Sequence, residues 1–145
     1  MTDQELLELL GTDPSDASRA QLSGLSRDQL SWLEEIQKTV PVIENPYTKI
    51  LQSTDNCAVN FDMERWHCNT THCAAGWIVV HAGEDGEALE EKYDTPTAAR
   101  MILRKSCPAD WPLPNFYASN EAAAAFIHKM AKMEDDANSA KPSGA

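Results

Sequence analysis

The chain is 145 residues long and 42% hydrophobic, and its 23 acidic residues against 12 basic ones give a net charge of −11. That length suits one compact domain with a core of its own, and no run of about 18 apolar residues is present to form a membrane-spanning helix. A surface this acidic repels phosphate, which excludes direct nucleic-acid binding and adhesion to anionic membranes as its main business.

The acid is concentrated in two places. Residues 1–45 hold nine acidic and three basic side chains, and residues 84–94 hold six and one. Such faces suit a protein partner with a basic surface, although acidity also serves solubility. The opening residues Met1, Thr2, Asp3, Gln4 and Glu5 lack the basic start and apolar centre of a secretory signal, so a cytoplasmic location is expected. In that setting Cys57, Cys68, Cys73 and Cys107 are read as thiols or ligands rather than disulfides.

In chain order, Thr2 and Glu5 form a capping-box pattern ahead of Leu6, Leu7, Leu9 and Leu10, with Gly11 as a stop. Residues 11–25, rich in Asp, Ser and Gly, read as a loop. Ser26 with Gln29 opens a second helix whose Leu30, Leu33, Ile36 and Val40 share a face, and Pro41 ends it. A turn and a short amphipathic piece around Ile50 and Leu51 follow. Residues 58–62 alternate briefly, enough for a short strand or an extended loop. Thr70 or Thr71 is the expected N-cap of a helix over residues 72–82, apolar nearly all round and therefore buried. Gly83 marks its end. An acidic surface helix is expected over residues 84–93, and Thr95 followed by Pro96 starts another, to about Lys105. Three prolines, Pro108, Pro112 and Pro114, make a rigid loop carrying Trp111, Phe116 and Tyr117. Ser119 or Asn120 caps a last helix with Ala123, Phe126, Ile127, Met130 and Met133 at helical spacing, and residues 135–145 are expected to fray. No internal repeat is present.

The densest chemistry lies in residues 66–77, where Trp66, His67, Cys68, His72, Cys73 and Trp77 fall within twelve positions. Three readings compete. As a thiol enzyme, Cys73 or Cys68 would be the nucleophile: Cys73 near a helix N-terminus gains a stabilised thiolate, with His72 or another histidine (His67, His81 or His128) as base. Adjacent helical residues point about 100° apart, which separates His72 from Cys73. As a structural zinc site, Cys68 with His72 or Cys73 would supply the spaced ligands and Cys57 or Cys107 would complete the tetrahedral set, but the usual second pair of closely spaced ligands is missing. As architecture, the threonine caps the helix, Ala74, Ala75 and Gly76 admit a close neighbour, and the tryptophans fill volume. The last reading accounts for the most residues. No cofactor is called for; zinc is the one metal the cluster could take.

Residues 68–77, followed by His81, Ala82, Gly83, Glu84, Asp85 and Gly86, then Leu89 and Glu90, resemble a segment of bacterial and bacteriophage proteins with a Thr-Thr-His-Cys then Ala-Gly-Trp run. Thr97, Ala98, Ala99 and residues 115–122 resemble their downstream part. The resemblance spans about residues 56–133. It implies a bacterial host-cell setting and brings no activity with it, so no catalytic residue is carried over.

The reading is a mainly α, single compact helical domain: an acidic helical extension over residues 1–45, a helical core over 46–134, a disordered tail over 135–145, and at most a short strand pair near residues 57–62. The expected function is that of a small acidic accessory factor which binds a protein, such as a host nucleic-acid-binding or defence protein that it inhibits. Glu84, Glu87 and Glu91, with Asp28, Glu34, Glu35 and Glu90, supply charge; Trp111, Phe116 and Tyr117 supply aromatic contact. A cysteine-dependent enzyme and a zinc-stabilised domain are the alternatives.

Overall fold

The computed structural model describes residues 19–64, 67–68, 71–108 and 110–139. The helix expected over residues 2–11 and the last six residues lie outside them. The chain is mainly α-helical. Within the described residues seven helices run in order: α1 (Arg19–Ser23), α2 (Arg27–Thr39), α3 (Pro46–Thr54), α4 (Ala74–His81), α5 (Gly83–Lys92), α6 (Thr95–Ser106) and α7 (Asn120–Ser139). Between α3 and α4, β1 (His67–Cys68) pairs antiparallel with β2 (Thr71–His72), matching His67 with His72 and Cys68 with Thr71. This strand pair sits beyond residues 57–62, and Phe61 reaches it only through one bridge to His72.

Helix α4 sits in the middle, packed against α3, α5, α6 and β2. Its sequence explains why: six consecutive residues, Ala74 to Val79, are buried, so it has no polar stripe to turn toward water. Gly86 lets α5 lie close against α4, because a Cβ there would meet the Val79 carbonyl oxygen at 2.6 Å. Gly83, the first residue of α5, has φ +69°, which glycine adopts without steric cost. Helix α2 starts as its sequence indicates: Ser26 Oγ accepts from the Gln29 N–H and Gln29 Oε1 accepts from the Ser26 N–H, a complete capping box. Its Leu33 and Ile36, with Val40 and Ile43 beyond it, are buried in the same core as α4 and α6. Residue 45 therefore marks no break in packing.

Two helix ends are closed by side chains from other helices. Lys105 Nζ, in the last turn of α6, donates to the carbonyls of Gln37 and Val40 at the C-terminus of α2, both at 2.8 Å. Glu134 of α7 does the converse at the N-terminus of α3. The N-cap residue there, Asn45, makes no capping side-chain bond. Instead, Glu134 Oε2 accepts from the Tyr47 N–H at 3.1 Å, and Oε1 accepts from the Thr48 N–H and Oγ1, each at 2.8 Å. Carboxylate at a helix N-terminus and ammonium at a C-terminus are the signs the peptide dipoles favour. Glu134 is 4% exposed. Burial pushes its carboxyl above the usual range, against the pull of the Thr48 and Tyr47 donors. This bond also explains why α7 continues to Ser139, past the expected fraying point at residue 135. Glu134 anchors the turn before it, and Asn138 Nδ2 donates to Asn45 Oδ1 at 3.0 Å.

Three other boundaries differ from the sequence expectation. Residues 19–23 form helix α1 within the expected loop. The N-cap of α6 is Asp94, whose side chain accepts from the Thr97 N–H at 2.7 Å, so Thr95 and Pro96 are already helical. The N-cap of α4 is Cys73 rather than a threonine, because residues 71–72 are held extended by the strand pair.

Replacing Glu134 tests the inter-helix cap. Glu134→Gln keeps one acceptor and sets an NH2 against the Tyr47 N–H, a loss of about 1–2 kcal/mol; Glu134→Leu leaves two backbone donors without an acceptor, about 2–5 kcal/mol. Urea unfolding should show both as lower midpoints with unchanged slope. Equal stability of wild type and Glu134→Leu contradicts the cap.

Candidate functional site

The residues around β2 and α4 are where the sequence concentrates chemistry, and their backbone geometry explains their placement. Asn60, at φ +58°, turns the chain so that its carbonyl faces α4. The carbonyl accepts from the Trp77 indole N–H at 2.9 Å and from the His72 backbone N–H at 3.1 Å, while Asp62 N–H donates to the His72 carbonyl at 3.1 Å. Trp77 then lies between two imidazoles. His72 meets it edge-on, ring centres 4.8 Å apart, and His81 stacks at 5.7 Å and 28°. His81 Nε2 shares a hydrogen bond of 3.0 Å with Ser53 Oγ of α3. The aromatic chain His72, Trp77, His81 thus fastens the loop before β1, α4 and α3 together.

Cys73 is fully buried, and its sulfur accepts from the Gly76 N–H at 3.3 Å. The Ala74 N–H, next along, points to Met63 Sδ at 3.5 Å. Two sulfurs therefore occupy the first turn of α4, where oxygen caps are usual. Burial pushes the Cys73 thiol up, against the Gly76 and Ala75 N–H groups that pull it down. A nucleophilic cysteine needs an accessible, depressed thiol; Cys73 has the opposite on both counts. Its sulfur is turned to the helix N-terminus, whereas the His72 ring is turned to Trp77.

The other cysteines are placed apart. Cys57, half-buried with φ +69°, follows the C-terminus of α3, and its N–H donates to Thr54 Oγ1. Cys107 lies by the opposite end of α3, in the groove that Pro46 and Glu134 line, and burial with the Glu134 charge raises its thiol to about 11. Nine helical residues separate those ends, roughly 13 Å at 1.5 Å per residue. Ligands of one zinc ion sit within about 2.3 Å of it, so Cys57 and Cys107 cannot serve the same ion. Among the described residues no group of three His, Cys, Asp or Glu side chains comes together to hold a metal. The Cys68 side chain lies outside them.

The proposed binding residues divide. Glu84, Glu87 and Glu91 are exposed on α5, as are Asp28, Glu34 and Glu35 on α2, where Glu35 pairs with Lys38 at 3.2 Å. Glu90 is half-buried and accepts from Thr95 Oγ1 at 2.7 Å, a helix-to-helix tie. Of the aromatic loop, Tyr117 is 76% exposed, Trp111 is partly buried against the core, and Phe116, 3% exposed, belongs to the core. Phe116 is therefore not a contact residue: a ring of that size is worth more in the interior than on the surface. Sequence reasoning did not identify Ser53 as a partner for His81, nor Glu134 and Cys107 as neighbours; no local spacing marks pairs separated by 27 residues or more.

No helix among the described residues is long and apolar enough to cross a membrane. No protein-family model, curated protein or solved structure matches the chain.

Two measurements follow from this geometry. In the native protein Cys73 should resist alkylation at pH 8 until the chain unfolds, and Cys73→Ala should cost about 1–3 kcal/mol through the lost cap and the small void. Fast labelling with a midpoint below pH 7 contradicts a packing role. His81 is held below its ordinary value, first by burial and then by the Lys49 ammonium. The unfolded chain takes up a proton near pH 6.5 that folded His81 resists, so its contribution is full above about pH 6.5 and is lost as pH falls toward the folded value. Wild type should thus lose stability on acidification relative to His81→Gln; parallel pH profiles contradict this.

Proposed function

We propose that the chain is a small accessory factor, of bacterial or phage setting, that acts by binding a protein with a basic surface. The observation that carries this reading is the outer face of α5. Glu84, Glu87 and Glu91 recur at helical spacing and all face solvent, and none is in an ion pair among the described residues. Glu84 and Asp85, in the first turn, have a local reason to be acidic, because they complement the helix dipole. Glu87 and Glu91 have none. They are like charges one turn apart, which costs a helix about 0.2–0.5 kcal/mol, and Glu91 lies toward the negative end of the dipole. Charge kept against the helix's own interest points to a use outside the helix. Burial of Cys73 with its raised thiol weighs against the cysteine-enzyme alternative.

A host protein whose groove normally holds nucleic acid is the version of this partner that best suits a row of carboxylates, since that groove is already arranged for a line of negative charge. The exposed Tyr117 adds an aromatic contact of the kind enriched in protein interfaces.

Affinity capture from a bacterial lysate tests the proposal. A partner eluting with moderate salt is expected, and Glu87→Lys with Glu91→Lys should lower its recovery by about tenfold or more while the fold is retained, both sites being exposed. Recovery unchanged by the double reversal contradicts the acidic face.

A further inference from the structure

A groove of about 310 Å3 opens where three segments meet: the chain between α2 and α3, the end of α6, and the last turns of α7. Its walls are tied to one another before anything binds. The Ile43 N–H donates to Ser106 Oγ at 2.9 Å, joining the first segment to α6. Asn138 Nδ2 donates to Asn45 Oδ1, and Glu134 accepts from Tyr47 and Thr48, joining the first segment to α7. Filling such a groove orders little that is not already ordered, which is the main saving in a preformed site.

The lining is apolar, with Val42, Pro46, Pro108 and Trp111 among it, and Val42 is 61% exposed although it is a valine. The charged lining residues are Glu44, exposed at the rim, and Glu134, buried at the base; no Lys, Arg or His lines the groove. Its volume is at the lower limit of small-molecule sites, about 300–1,000 Å3. That is room for one or two side chains rather than a cofactor. An apolar slot with an exposed carboxylate, Glu44, at its rim and no cation in its lining is complementary to a bulky aliphatic side chain with a positive charge beside it.

We propose that this groove is the docking site for an exposed segment of a partner protein in which a large aliphatic residue is flanked by Lys or Arg. The aliphatic side chain enters between Val42 and Trp111, and the flanking cation lies over Glu44. The inference rests on the reading of the chain as a binder of basic proteins and adds to it a specificity pocket away from the α5 face.

The test is an NMR titration of 15N-labelled protein with three blocked pentapeptides, Gly-Arg-Leu-Arg-Gly, Gly-Arg-Ser-Arg-Gly and Gly-Glu-Leu-Glu-Gly, each to millimolar concentration. The first should give saturable shifts at the amides of Val42, Ile43 and Glu44 and at the Trp111 indole. The Ser peptide should bind at least about fivefold more weakly, and the Glu peptide should give no shifts. Glu44→Lys and Val42→Ser, both at exposed positions, should each weaken the first peptide by about fivefold or more, with Glu121→Lys on the first turn of α7 as a control that leaves it unchanged. Shifts spread along α5, equal binding of the three peptides, insensitivity to both groove variants, or no shifts at all each overturn the proposal. Lysate capture that survives a silent groove removes this inference alone. A peptide-binding groove without any salt-sensitive capture removes the wider function alone.

Discussion

The position of α3 depends on one buried carboxylate. A helix that begins with Asn45 in a left-handed conformation and Pro46 in its first turn has no capping group of its own, and its next two residues present N–H groups to the interior. Glu134 arrives from 86 residues away and accepts both. With α3 so placed, Tyr47 packs edge-on against Phe126 at 6.0 Å, and Ser53 at the far end of the helix meets His81 of α4. The same carboxylate forms the base of the groove beside Trp111. Removing it disturbs the α3–α7 seam, the tie to the central helix and one wall of the groove together.

Seen from α3, the histidine- and cysteine-rich segment has a mechanical meaning. It must carry the chain from an exposed loop into a helix buried on every side, and a buried helix start leaves N–H groups that need acceptors. Cys73 and Met63 supply sulfur, a weak acceptor but an apolar one, so the first turn of α4 is closed without bringing a strongly hydrated group into the core. Trp77 fills the space beside it, braced by His72 and His81. Dense chemistry here secures α4, and the exposed acids Glu84, Glu87 and Glu91 lie elsewhere, on α5.

Much of this was legible because it is local. The Ser26 and Gln29 capping box, the all-round apolar run of α4, the acidic α5 and the spacing of Ala123, Ile127 and Met130 on α7 are each set by residues within one or two turns. The cap of α4 was harder to read, since Thr70 and Thr71 are better capping types than Cys73, and only the pairing of residues 71–72 with 67–68 shifts the start. Phe116 looked available because its loop is rich in proline, yet rigidity of a loop does not say which of its rings turns inward. Glu134 was not legible at all. It reads as the first of three acids, with Asp135 and Asp136, at the beginning of a polar tail, and its partners lie on a helix early in the chain. Long-range side-chain caps leave no periodic trace, and they decide both the length of α7 and the shape of the groove.

The most direct test of this account is amide hydrogen exchange at Tyr47 and Thr48. If Glu134 caps α3 as described, both N–H groups exchange as slowly as that of Ile50 in the middle of the helix, by global unfolding. Exchange orders of magnitude faster, typical of an open first turn, contradicts the cap and with it the arrangement of α3, α4 and α7 that depends on it.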